Sequence, residues 1–442
     1  MAERDLRVVW HPCSQMKDYE DFPPVEIVGA EGPYLVVSGG KRIIDAISSW
    51  WCKSLGHSHP RIRAAVERQL DRFEHVIMAN TCFDVLVELS ERLADLAPGL
   101  DKVFYVDNGS TAVEVAMKMS VQFHAQTGRP ERKRFVSLEN GYHGETVLTL
   151  ATGDCGLYGA PFADLAPEIP KARGVPYVSS PDDPAWDSMP EEDWKKMEAW
   201  LDTISETLAA IVFEPVLQGA GGMKVYSPDL LRRLRRWADD NGAHLVADEI
   251  MTGFGRTGKA LACGHAGVVP DFACLSKGLT AGWGPMAAVL TSATIYDAFH
   301  DDYFSGKAFM HSNTYCGNAA MAAAALEALK IYREEGIFER VERDSRALRK
   351  RLADVADATG ALENARGVGF AAAADIVDPA TGKPFPKERR TGLGMFKKAI
   401  ELGAWLRPLG DTIYFLPPLN ASDGVLDDLA EIAAEALSAA TR

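Results

Sequence analysis

The chain has 442 residues, 47% hydrophobic and 25% charged, which excludes a mainly disordered protein. Its formal charge of −15 argues against a nucleic-acid or anionic-membrane partner, since either needs clustered Lys and Arg. No run approaches the roughly 18 apolar residues of a membrane span, and Met1–Leu6 is charged where a secretory signal is apolar, so a cytoplasmic location is expected.

In chain order, Val25–Val28 and Tyr34–Val37 read as strand pieces. Val103–Asp107 reads as a buried strand, followed by the turn Asn108-Gly109 and a helix from Ser110 to about Gln126. Val113, Met117 and Val121 recur there on one helical face. Further strands are expected at Phe135–Leu138, Ala209–Phe213, His244–Ala247, Phe272–Leu275 and Ala287–Leu290. Ser227-Pro228 suits the start of a helix that Asn241-Gly242 ends. Short apolar strands separated by helices predict the α/β class, with a mainly parallel central sheet covered on both faces. After about Asn318 an Ala-rich helix, a charged amphipathic helix, short strands near Phe370–Ile376 and Ile413–Leu416, and a terminal helix predict a smaller α+β part. The expected division is a large domain over residues 61–325 and a small α+β domain built from 1–60 and 326–442.

The seven cysteines (Cys13, Cys52, Cys82, Cys155, Cys263, Cys274 and Cys316) are scattered without a Cys-x-x-Cys, as expected of reduced thiols. No His-Glu-x-x-His spacing occurs, and no metal site is expected. The stretch Gly253-Phe-Gly-Arg-Thr-Gly-Lys259 matches two phosphate-loop patterns by letter. It lacks the hydroxyl after the lysine, where Ala260 stands, and no clear helix start follows the glycines. A NAD- or ATP-binding enzyme built on Gly253–Lys259 therefore stays only as a lesser alternative.

Open α/β sheets bind ligands at the carboxyl ends of their strands, and four segments end there with polar groups. Gly109, Ser110 and Thr111 open a helix, whose free N–H groups suit a phosphate or form a plain cap. Tyr142 lies in the glycine-flanked loop Gly141–Gly144, where its ring suits the cover of a flat ligand or an ordinary surface aromatic. Asp248-Glu249 places acids at the tip of an apolar strand, and Lys277 places an amine at the end of another. Together these are the parts that pyridoxal phosphate requires: an amine, an acid for the ring nitrogen, an aromatic cover and a phosphate cradle.

Asp248-Glu-Ile-Met-Thr-Gly-Phe-Gly-Arg-Thr-Gly258, followed by Pro270-Asp-Phe-Ala-Cys-Leu-Ser-Lys277-Gly-Leu, resembles the signature of class III aminotransferases of pyridoxal phosphate fold type I. Trp10–Met16, Ser48–Trp51, Asn140–Gly144, Gln218–Met223 and Trp405–Gly410 are similar to the branch that makes 7,8-diaminononanoate for biotin. The resemblance implies an aminotransferase acting on 8-amino-7-oxononanoate, with S-adenosylmethionine or lysine as amino donor. A broad ω-amine:pyruvate aminotransferase is the alternative, and a non-enzymatic scaffold would not need Lys277, Asp248 and the phosphate loop together. By the same resemblance, Lys277 would hold the cofactor and move the proton, Asp248 would keep the ring nitrogen protonated, and Tyr142 would stack on the ring. Gly109, Ser110 and Thr111 would hold the phosphate, with Thr314 reaching across a homodimer. Arg407 would bind the acceptor's carboxylate, Trp50 and Trp51 would line the channel, and Arg256 and Tyr414 would lie near donor and acceptor. Cys13 and Glu145 depart from the Tyr and Asp common in the S-adenosylmethionine users. Thr381-Gly-Lys-Pro and Gly282-Trp-Gly-Pro resemble the lysine-using branch more.

Overall fold

A computed structural model describes residues 1–156 and 158–442. Its main sheet has seven strands in the order Lys102–Val106, Ala287–Thr291, Phe272–Leu275, His244–Asp248, Leu208–Phe213, Arg134–Leu138 and Lys171–Ala172. Every pair from Phe272–Leu275 onward is parallel, whereas Ala287–Thr291 is antiparallel to both its neighbours. Leu208–Phe213 and His244–Asp248 are buried at every position. Helices over both faces leave no polar side to alternate toward, so these strands read as unbroken apolar runs. The chain has the α/β architecture that the strand–helix alternation predicts.

Helix Gly109–Gln126 begins where Asn108 caps it by accepting from Thr111 N (3.0 Å), and it buries Val113 and Met117 beneath the sheet. Helix Asp229–Asn241 starts a residue later than Ser227-Pro228 suggests, because the Ser227 hydroxyl accepts from Asp229 N (3.2 Å) from outside the first turn. Left-handed Gly242 ends it, as expected.

A second sheet joins both ends of the chain: Ile27–Glu31, Tyr34–Val37, Arg42–Asp45 and Ala404–Trp405. The first of these strands starts later than Val25, and its register shifts between Ile27 and Gly29. A third sheet pairs Leu362–Val368, Ala371–Ile376 and Thr412–Phe415. The sequence reading missed Leu362–Val368, whose middle residues are exposed and whose pairing bulges between Glu363 and Arg366. Such an edge strand shows no apolar alternation. Helix Ala319–Glu334 is buried around most of its surface, which its small alanines permit, and Ile337–Thr359 buries Val341, Leu348 and Leu352 on one stripe. A single apolar cluster runs from Ile44 through Leu275 and Ala324 to Leu429, so the two small sheets and the main sheet share a core. Among the described residues no helix is long and apolar enough to cross a membrane.

Candidate active site

The parallel strands deliver their chemistry to one edge. His244–Asp248 ends in Asp248, a buried carboxylate whose Oδ2 accepts from His143 Nδ1 (2.9 Å) and whose Oδ1 accepts from Ile250 N (3.2 Å). Phe272–Leu275 leads through Ser276 to Lys277, held at a left-handed φ of 42°. That conformation is costly for a side chain with a Cβ, and such strain gathers where surrounding structure imposes it. Lys277 Nζ stands 4.8 Å from the centre of the Trp51 ring. Burial pulls the Lys277 pKa below the usual lysine value, against the opposing pull of Asp248 and Glu214, which increases the share of neutral, nucleophilic amine.

Lys102–Val106 lies two antiparallel pairings from Phe272–Leu275, so it points the same way and brings Gly109, Ser110 and Thr111 to the same edge. The first-turn N–H groups of that helix carry its positive dipole end. Thr111 is partly used otherwise: its N and Oγ1 both donate to Asn108 Oδ1 (3.0 and 3.1 Å). Two close approaches tie the pieces together. A Cβ on Gly109 would lie 2.9 Å from Ile250 Cδ1, beside Asp248, and one on Gly144 would lie 2.2 Å from Ser110 Oγ. Glu145 N donates to that same Ser110 hydroxyl (3.2 Å), so the Tyr142 loop rests on the helix start.

Sequence reasoning missed two members of this cluster. Glu214 follows Leu208–Phe213 and is buried; its Oε2 accepts from Tyr142 N and its Oε1 from Gly219 N, both at 2.9 Å. Burial pushes its pKa up to about 7, with Asp248 adding to the rise and His143 opposing it. His143, beside Tyr142, orients Asp248 while its own Nε2 is buried without a partner. The available signal for Glu214 was an acid directly after an all-apolar strand, the same signal that marked Asp248.

The wall opposite is built on an unusual turn. Ser48, Ser49, Trp50 and Trp51 have φ values of 51°, 44°, 69° and 72°, all left-handed. Each such residue costs roughly 1–2 kcal/mol. Trp51 is buried, and its Nε1 donates to Tyr414 OH (3.1 Å). Trp50 is 45% exposed and lies 5.1 Å under the Arg407 guanidinium. Arg407 Nη2 donates to Cys13 O (2.6 Å), Cys13 Sγ lies 3.9 Å from Glu145 Oε1, and that oxygen accepts from Tyr142 OH (3.0 Å). Arg407, Cys13, Glu145 and Tyr142 thus form one arc, and the first two also line a cavity of about 850 Å³ with Trp50, Tyr19 and Trp405.

Arg256 and Thr314 sit differently from the rest. Arg256 is buried, its Nη1 donates to the carbonyls of Phe370 and Pro417 (2.9 and 2.8 Å), and its Nη2 is buried without a partner. Thr314 is exposed, with its carbonyl 2.9 Å from His75 Nε2. The Gly253–Lys259 stretch packs against the helix Ile337–Thr359, where Lys259 Nζ pairs with Glu342 Oε1 (2.6 Å). A Cβ on Gly255 would lie 2.3 Å from the Phe338 ring, so that glycine serves a close packing contact rather than a phosphate.

The profile described as aminotransferase class-III matches residues 15–437 of this chain. The adenosylmethionine-8-amino-7-oxononanoate aminotransferase of Geobacter sulfurreducens is 37% identical over 436 residues, covering 98% of this chain and 96% of that protein. The crystal structure of the enzyme of that name from Methanocaldococcus jannaschii superposes with a TM-score of 0.91 at 31% identity, covering 99% of this chain and 98% of that one. An amine transaminase of an uncultivated Pseudomonas species, solved in its PLP-bound form, gives a TM-score of 0.88 at 30% identity over 98% of each chain. With the match spanning almost the whole sequence, and a half-buried lysine and a buried acid carried to one sheet edge, the chain belongs to the class III aminotransferases.

Proposed function

We propose that this aminotransferase converts 8-amino-7-oxononanoate to 7,8-diaminononanoate, with S-adenosylmethionine or lysine as donor. The observation that carries the reading is Arg407, held over Trp50 at the mouth of the site that contains Lys277 and Asp248. A guanidinium there suits a carboxylate at the far end of an acceptor whose carbonyl reaches inward.

The residues fit pyridoxal phosphate. The helix start at Gly109 offers first-turn N–H groups and a positive dipole end to an anion, the buried Asp248 suits a protonated ring nitrogen, and burial lowers the Lys277 pKa. When bound, the cofactor supplies an electron sink and a carbon that carries the amino group between substrates. Lys277 takes the proton from the substrate carbon and returns it, and its lowered pKa increases the share of neutral amine for that step. Asp248, oriented by His143, holds the proton on the ring nitrogen. Tyr142 covers the ring, with Glu214 fixing its backbone. Gly109, Ser110 and Thr111 hold the phosphate, joined by Thr314 from a second copy in a homodimer. Trp50, Trp51 and Tyr414 exclude water from the channel, and the unpartnered nitrogen of Arg256 serves the donor side. We also place the large domain at residues 61–325, the small one at 1–60 and 326–442, and the protein in the cytoplasm.

Purified enzyme with 8-amino-7-oxononanoate and each donor in turn tests the reading. Diamine is expected with at least one donor, and none with either overturns it. The structural likeness to ω-transaminases, with a TM-score of 0.90 to that of Pseudomonas jessenii, supports the second reading, an ω-amine:pyruvate enzyme. Turnover of simple amines with pyruvate far above that of the oxononanoate would select it.

A further inference from the structure

The left-handed turn Ser48–Trp51 carries the two tryptophans of the wall and contains no glycine to relieve it. Its middle residue, Ser49, is held by a buried side chain outside the site. Asp45 is fully buried at the end of strand Arg42–Asp45; its Oδ1 accepts from Ser49 N (2.9 Å) and its Oδ2 from Ser49 Oγ (2.6 Å). His57 Nε2 lies 2.8 Å from the same Oδ2 and fixes the carboxylate from the other side. The neighbouring strand places Trp405 directly opposite Asp45, and Arg407 follows two residues on. One point of the small sheet therefore sets the positions of Trp50, Trp51 and Arg407 together.

We infer that Asp45, supported by His57, is a positioning residue that keeps the Ser48–Trp51 turn left-handed and thereby sets selectivity for the acceptor. Without the two bonds to Ser49, only Ser48 Oγ to Leu416 O and Trp51 Nε1 to Tyr414 OH among its side-chain hydrogen bonds still oppose a return of the turn to the right-handed region that L-residues prefer. That return carries Trp50 away from Arg407 and Trp51 away from Lys277 and Tyr414. Among the described residues the Asp45 carboxylate hydrogen-bonds to Ser49 and His57 and not to Lys277, Asp248 or the helix start, so its effect falls on substrate binding more than on proton transfer. The inference rests on the acceptor reading above.

Asp45→Asn in the holoenzyme is the direct test, since the amide keeps the volume and loses one acceptor. The expected result is a rise of about tenfold in KM for 8-amino-7-oxononanoate, a smaller change in kcat, and greater quenching of tryptophan fluorescence by acrylamide. Adding Ser49→Gly should then recover much of the loss, because glycine adopts positive φ without a clamp. A packing role for Asp45 predicts the opposite, a second loss added to the first. Unchanged KM and quenching in Asp45→Asn, or further loss on adding Ser49→Gly, overturns the inference. If Asp45→Asn does not accumulate folded, His57→Gln reads the same KM at smaller amplitude, and no rise there overturns it equally. Should wild-type enzyme ignore the oxononanoate, the acceptor reading fails alone, and the same split is measured with the carbonyl acceptor that the enzyme does use.

Discussion

Glu214→Gln separates two opposing effects that the structure places on one buried group. The carboxyl accepts from Tyr142 N and Gly219 N, which favours keeping it there, while burial raises its pKa from 4.5 to about 7. In the window between those values the folded chain binds a proton that the unfolded chain releases, so stability falls as pH rises through it. The full shift corresponds to about 3 kcal/mol above neutrality and just under about 1 kcal/mol near pH 5. Glutamine has no ionisation to penalise, but its single acceptor oxygen leaves one of the two buried N–H groups facing an amide nitrogen, a loss of about 1–3 kcal/mol. The variant is therefore expected to be less stable than wild type at pH 5 and equal or more stable at pH 8. Urea unfolding of both proteins with saturating cofactor at a series of pH values gives that difference. A difference that stays constant across the series refutes the assignment of the titrating group. Because the lost acceptor serves Tyr142 or Gly219, kcat/KM should fall several-fold at every pH, including those where stability is regained.

Other substitutions probe the remaining parts. Lys277→Ala should abolish turnover and the adduct that borohydride traps; surviving turnover removes the lysine from its assigned role. Arg407→Ala should raise KM for the oxononanoate by about 10–100-fold through loss of a charge-assisted contact, with a smaller effect on the donor, and equal effects argue against the placement. Gly144→Ala puts a Cβ 2.2 Å from Ser110 Oγ and 2.9 Å from Ser110 Cα at a φ of 125°, so neither partner can move aside. Cofactor retention on dialysis should drop, and wild-type retention contradicts the cradle. His244, stacked 4.5 Å from His124, has its pKa pulled down to about 4 by burial, so its contribution is lost as pH falls from 6.5 through 4. His244→Phe should flatten that acid limb of the thermal-unfolding profile, and an unchanged limb assigns it elsewhere.

What could be read from the sequence follows the physics of each segment. The strands leading to Asp248 and Lys277 are apolar through Leu245–Ala247 and Phe272–Leu275, so both stand out as polar groups that a buried strand has no other reason to place at its tip. Helix Gly109–Gln126 announces itself by a cap and a face, both local signals. The strand Leu362–Val368 gave no such signal, because it is exposed in the middle and interrupted by a bulge. Glu214 and His143 were within reach of the same strand-end logic, but their partners are backbone groups and a carboxylate far away in sequence, which spacing does not reveal.

The Ser48–Trp51 turn lies further from any local reading, since serine and tryptophan have no preference for positive φ. Its conformation is imposed by contacts with residues distant in the chain: Ser48 Oγ donates to Leu416 O (2.7 Å), Trp51 Nε1 to Tyr414, and Asp45 takes Ser49. The same holds at Lys277, left-handed between two buried segments. Local preference and tertiary contact agree along most of this chain, and they part where the tryptophans and the amine must be aimed at one point. The strain is stored in the folded chain before any substrate arrives, so binding need not reorganise that wall, and the conformational cost is met in folding rather than in each turnover.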